Sequence, residues 1–226
     1  MKFIEFERHI SAIRLVKYKI ACRANKHRTL KLYRANIRLS GALLAVLCMF
    51  EIVLRNKIDA HYKARFPVTP RGKGWLRDAT QSGGFLTSQG CHNSVIKINQ
   101  AYTDLGIRYT HDRLVASLSF GFWKYLFKGN QYRAGGNTLL HIFPHKPPHT
   151  NQSAVFAVLA RINDLRNRVG HHEPVCFGAG ITISTVYARS HFQHIIDILA
   201  WMDINASELF KGVDGVIKEC DFIDSI

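Results

Sequence analysis

The sequence predicts an all-α fold: a bundle of five or six helices joined by mostly short turns and two long loops. Three observations predict it. Apolar residues recur at spacings of three and four along most of the 226 residues. No stretch alternates apolar and polar residues for long enough to read as a half-buried strand. Helix breakers are gathered in few places, Pro67 to Gly90 and Pro144 to Pro148 above all. At this length the chain fits one domain over residues 1–226. Residues 1–39 are expected as basic helices packed on the bundle, and residues 203–226 as a weakly ordered tail.

In chain order, residues 3–39 read as one or two basic helices with a turn near residues 24–27. Ile10, Ile13, Leu15, Val16 and Ile20 recur at helical spacing, as do Leu30, Leu32, Tyr33 and Ile37. These apolar faces suit packing against the next helix; a membrane-surface amphipathic helix is the alternative. Residues 40–62 read as a long, mostly apolar helix. Its most apolar run, residues 41–54, is broken by Glu51 and flanked by charge, too short to span a bilayer, so a buried core helix and no membrane partner are expected. Residues 66–90 read as a loop. Residues 92–105 read as a helix, and 113–127 as another, capped by Thr110 or Asp112 and apolar nearly all round, as the middle of a bundle requires. Residues 128–150 are irregular, with room for a short helix at 137–142. The next helix starts at Asn151 or Ser153 and stops at about His172, because Pro174 disfavours helical geometry at Glu173. Gly178 and Gly180 separate it from a last helix, from Thr182 or Ser184 to Met202.

The formal charge of +15 and the pI near 9.9 point to a polyanionic partner, nucleic acid first. Residues 1–40 hold eleven Lys or Arg against two Glu, nine of those net charges. A solvated basic helix face is the plain alternative. Five scattered cysteines with no C-x-x-C suit reduced thiols in a cytoplasmic protein, not a disulfide framework or a cysteine zinc site. The N-terminus mixes acids and bases from the start, unlike a secretory leader. His141, His145 and His149 stand at spacings of four, but the prolines among them argue against the helix that would align them as metal ligands. His191 and His194 lack a third ligand at a matching spacing. Neither a metal nor a cofactor is expected.

The chemistry concentrates in Arg161-Ile-Asn-Asp-Leu-Arg-Asn-Arg-Val-Gly-His-His-Glu-Pro174. Ile162, Leu165 and Val169 form its apolar face. Its last turns carry Arg166, Asn167, Arg168, His171 and His172 within a short axial rise. A guanidinium that binds phosphate and an imidazole that titrates near neutrality are the groups phosphodiester cleavage uses. Arg55, Asn56 and His61 echo the pattern, although Arg55 also stands four residues after Glu51, the favourable order for a helical ion pair. Arg71 and Lys73, in the loop beside Trp75, are candidate RNA contacts, as is Arg161; Trp75 can stack a base or fill the core. The structural alternative pairs Arg166 with Asp164 or Glu173 and leaves His171 to cap a helix end.

Arg166-Asn167-x-x-x-His171 resembles the catalytic motif of HEPN ribonucleases: Arg, a polar residue, then His four to six residues after the Arg. Residues 165–174 also resemble the signature of the Abi-like (abortive infection) family. So do Leu118-Ser-Phe-Gly-Phe-Trp-Lys-Tyr-Leu-Phe127, Ala35-Asn-Ile-Arg-Leu-Ser40, Phe50-Glu-Ile-Val-Leu-Arg-Asn56 and Ser11-Ala-Ile-Arg-Leu-Val-Lys-Tyr18, in the family's order over roughly residues 10–205. The resemblance implies a HEPN-like bundle and a metal-independent endoribonuclease, a hydrolase of antiviral defence or toxin–antitoxin systems, often dimeric. It implies Arg166, Asn167 and His171 as motif residues, with Arg168, His172 and Glu173 supporting them. Gly170 stands where the family pattern has Ala, a difference of roughly 1 kcal/mol in a helix interior. The partners the resemblance implies are a substrate RNA, a dedicated small non-coding RNA, an antitoxin and a second copy of the chain. A non-catalytic RNA-binding protein held by such an RNA is the alternative function.

Overall fold

The computed structural model describes residues 2–68 and 72–226. The expected RNA contact Arg71 lies outside the described residues. The fold is all-α. Among the described residues there are twelve α-helices and no strand, beyond one isolated antiparallel bridge between Phe177 and Ile183. The helices are α1 (Phe3–Ile10), α2 (Ala12–Ala21), α3 (Lys26–Arg65), α4 (Trp75–Asp78), α5 (His92–Leu105), α6 (His111–Ser117), α7 (Phe120–Tyr125), α8 (Gly129–Ala134), α9 (Gln152–Gly170), α10 (Val186–Trp201), α11 (Ala206–Leu209) and α12 (Val216–Asp224). They exceed the five or six expected because several are one or two turns long, too short to show a period. The two expected loops are among the places where these short helices lie: α4 in the first, α8 in the second.

The chain divides into two compact units. The first comprises residues 2–48, 164–197 and 206–226. Ser11, at φ 82°, separates α1 from α2, and its hydroxyl accepts from the Arg14 N–H at 3.4 Å. On α2 the buried residues are Leu15 and Tyr18, continued by Cys22. Ile13, Val16 and Ile20, expected in the core, are exposed, Ile13 at 87%. Both triplets have helical spacing, so the period is right and the choice of face is not. Tyr18 packs edge-on against Tyr33 and Phe177, with ring centroids 5.1 and 5.0 Å apart. The tail expected to be weakly ordered carries α11 and α12. Val216, Cys220 and Ile223 bury one face of α12 at spacings of four and three. Arg38 pairs with Glu219 at 2.9 Å, and Arg189 with Asp221 and Asp224 at 2.6 and 3.0 Å.

The second unit comprises residues 49–163 and 198–205. Phe50, Leu54, Ile58 and Tyr62 form its buried stripe on α3, each four residues after the last. The expected boundary near Ser40 does not exist: α3 runs through it for 40 residues. By length and composition α3 is long and apolar enough to cross a membrane, and a third of its most apolar window is buried. The helix expected over 113–127 breaks at Leu118, whose ψ of 133° is extended, and restarts after Ser119. Thr110 does cap α6, accepting from the Arg113 N–H at 3.2 Å. The helix α5 has the bounds expected from sequence.

Candidate functional site

Helix α9 buries Val155, Leu159, Ile162, Leu165 and Val169 along one face. Asn151 caps its start, its Oδ1 accepting from the Ala154 N–H at 3.0 Å. The helix ends at Gly170, two residues before the expected stop. The His171 N–H still reaches the Asn167 carbonyl at 2.8 Å, and His172 then turns into the left-handed region at φ 57°. The Glu173 N–H returns to the Arg168 carbonyl at 2.9 Å, which closes the helix end.

Arg166, Asn167 and His171 are all exposed. Among the described residues none of their side chains has a hydrogen bond or an ion pair, so Arg166 pairs with neither Asp164 nor Glu173. Asn167 and His171 are one helical turn apart and share a side of α9. Arg166 and His171 are five residues apart, about 140° around a regular helix. The three residues therefore present an anion-binding group, an amide and an imidazole at one helix end, with Arg166 turned away from His171.

The residues around them are engaged. Arg168 lies over the Tyr187 ring, its guanidinium carbon 4.6 Å from the centroid, and its Nε is 3.7 Å from Glu173. Tyr187 stacks on His191, ring centroids 4.0 Å apart, and His191 Nδ1 donates to the Tyr187 carbonyl at 2.8 Å. Arg14 Nη1 donates to the His172 carbonyl at 2.8 Å. The buried Asn36 accepts from the Val175 N–H at 2.9 Å through Oδ1, fixing the chain that leaves the site. Arg14 and Asn36 lie in two of the stretches that carry the resemblance, but no local spacing ties them, or Tyr187, to α9.

The second set, Arg55, Asn56 and His61, lies on α3 in the second unit and does not converge. Arg55 Nη1 reaches the Ala116 carbonyl at 3.5 Å rather than Glu51. His61 Nε2 is 3.0 Å from the Thr138 hydroxyl. Six residues of helix put the two side chains about 120° apart. Burial, then the neighbouring His141 and Arg65, lowers the His61 pKa. Of the expected RNA contacts, Lys73 is exposed and donates to the Tyr102 hydroxyl at 2.7 Å, and Arg161 is exposed on α9. Trp75 is in the core at 2% exposure.

Trp75 belongs to a polar cluster that sequence reading missed. Asp59 on α3 is 8% exposed. Its Oδ1 accepts from Trp75 Nε1 and from His111 Nε2, both at 2.7 Å, and Oδ2 faces Lys63 Nζ at 2.7 Å. Burial alone raises the Asp59 carboxyl, but the bonds from His111, Lys63 and Trp75 outweigh it and hold the pKa at about 2. His111 Nδ1 is buried without a partner, against Gly74, where a Cβ would stand 2.3 Å from it. With both ring nitrogens shielded, this pair joins α3, α4 and α6 and offers no open face to a substrate. No protein-family model, curated protein or solved structure matches the chain.

Proposed function

We propose that this chain is an Abi-like, HEPN-type endoribonuclease, an effector of a phage-defence or toxin–antitoxin system. The reading starts from the composition: a charge of +15 suits a polyanionic partner. The observation that carries it furthest is the state of Arg166, Asn167 and His171, exposed and unengaged at the end of a helix whose other face is core. Residues retained for packing would be expected to find partners inside the fold; these three face solvent.

In the proposed reaction the ribose 2′-hydroxyl attacks the adjacent phosphorus. One imidazole removes the hydroxyl proton as the new P–O bond forms, and a protonated group delivers a proton to the departing 5′-oxygen as that P–O bond breaks. His171 fills one of these roles, a contribution of typically 10²–10⁴-fold. Arg166 stabilises the charge on the non-bridging oxygens through charge-assisted hydrogen bonds. Asn167 orients His171 from one turn away. Products are a 2′,3′-cyclic phosphate and a 5′-hydroxyl. The divergence of Arg166 from His171 within one helix supports a two-copy site, in which Arg166 of one protomer works with His171 of its partner across a two-fold axis.

Incubating bulk cellular RNA with wild type and with Arg166→Ala tests the reading. Fragmentation by the wild type and none by the variant is expected. Identical RNA patterns in the two lanes, with RNA bound in both, would replace the nuclease by the RNA-binding protein held by a small non-coding RNA.

A further inference from the structure

The second unit contains a cavity of about 580 Å³ between α5, α7 and α8 that none of the cleavage chemistry uses. Its size falls in the range of small-molecule sites. Its lining has no Asp or Glu, and includes Lys97, Lys128, Asn93, Asn130, Tyr125 and Gln131. The residues are graded by depth. Gln131 and Phe122 are buried, at 4% and 6% exposure, and form the floor; Lys97, Lys128 and Tyr125 are exposed and form the rim.

Three features mark it as a built site. Gln131 donates through Nε2 to the Gly90 carbonyl at 3.2 Å and to the Ser94 hydroxyl at 3.4 Å, which fixes the amide, while its Oε1 is buried with no hydrogen-bond partner. A buried acceptor left open is costly, so a ligand that donates to it is favoured. Gly90 sits at φ 86° beside Asn130, where a Cβ would come within 1.9 Å of the side-chain amide nitrogen. At the rim, Lys97 and Lys128 have no ion pair among the described residues, and Lys128 Nζ lies 5.4 Å from the Tyr125 ring centroid.

We infer that this cavity binds a nucleoside monophosphate unit, with its base on the amide-lined floor and its phosphate between Lys97 and Lys128. A base supplies the N–H donor that Gln131 Oε1 lacks and a flat apolar face for Phe122 and Tyr125. A phosphate supplies the counter-charge for two lysines that no carboxylate in the lining neutralises. The assignment goes beyond the cleavage reading and does not depend on it, because every residue it uses lies outside α9. The unit can be a free nucleotide or one nucleotide of a single strand.

Isothermal titration of the full chain with AMP, GMP, CMP and UMP tests it, with inorganic phosphate and adenosine as controls. At least one nucleotide is expected to bind about tenfold or more tightly than both controls, since base and phosphate contacts each add to affinity. Lys97→Ala/Lys128→Ala is expected to weaken that binding about tenfold or more with an unchanged melting temperature, both side chains being on the surface. Gln131→Met removes the floor acceptor and is expected to reduce discrimination among the bases; the lysine variant carries the test if Gln131→Met does not fold. A second arm uses a fluorescent pentaribonucleotide. Parallel loss of oligomer and mononucleotide binding identifies a nucleotide of a strand, and loss of mononucleotide binding alone identifies a free nucleotide. Binding of inorganic phosphate as tight as that of every nucleotide, or nucleotide binding unmoved in the lysine variant, would overturn the assignment. Mononucleotide binding by Lys97→Ala/Lys128→Ala and bulk-RNA cleavage by Arg166→Ala are separate assays, so failure of this site and failure of the cleavage reading are read out separately.

Discussion

Replacing Asp59 by Asn removes one charge and keeps the shape of the side chain. In the native protein the carboxylate takes hydrogen bonds from Trp75 and His111, both at 2.7 Å, and faces Lys63 at 2.7 Å. Those bonds hold its pKa at about 2 against the pull of burial. The gap from an ordinary aspartate near 3.9 corresponds to about 2 kcal/mol of stability at neutral pH. The folded-state value lies below the unfolded one. This contribution is therefore fully present above about pH 5 and is lost as the pH falls through 4 towards 2. Asp59→Asn should lower the stability measured by urea unfolding at pH 7 by about 2 kcal/mol, or the melting temperature by about 4–8 °C for a chain of this size. The difference between wild type and variant should narrow as both are titrated from pH 5 to pH 3. A variant as stable as wild type at pH 7, or a difference that widens on acidification, would refute the reasoning.

Two other outcomes rest on different contacts. Asn36→Leu leaves the buried Val175 N–H without its acceptor and should cost about 1–3 kcal/mol, read by urea unfolding; a cost near zero would mean the bond does not hold the chain after α9. His61→Ala should retain RNA cleavage, since His61 is engaged with Thr138 and diverges from Arg55 on α3, whereas His171→Ala should slow it by about 10²–10⁴-fold; loss of cleavage in His61→Ala would restore the second motif to the site.

Much of the helical fold was legible because its longer helices show a clear period between strong breakers. The bounds of α5 were readable to the residue, and Thr110 and Asn151 cap α6 and α9 from positions that their side-chain chemistry marks. The run from Leu114 to Phe127 was not legible as two helices, because an apolar segment has no polar face to show where its phase changes. The join at Ser40-Gly41 looked like a boundary, yet a single glycine costs only roughly 1 kcal/mol against Ala in a helix interior, and α3 continues through it. On α2 the alternatives Leu15/Tyr18/Cys22 and Ile13/Val16/Ile20 have the same spacing, and only packing against Tyr33 and Phe177 decides between them. At the candidate site, Arg166, Asn167 and His171 were found by spacing within one helix. Arg14, which holds the His172 carbonyl from 158 positions away, had no such signal. Separation in sequence likewise hid Asp59 and His111, 52 positions apart.

The most direct measurement of the central claim is end-group analysis of a defined RNA after incubation with the wild type, His171→Ala and Arg166→Ala proteins. The account predicts a 2′,3′-cyclic phosphate and a 5′-hydroxyl at each wild-type cut, no cut where a 2′-deoxynucleotide replaces the attacking ribose, and rates lower by about 10²–10⁴-fold in His171→Ala. Cleavage that persists at the 2′-deoxy position, or at the wild-type rate in both variants, would contradict it.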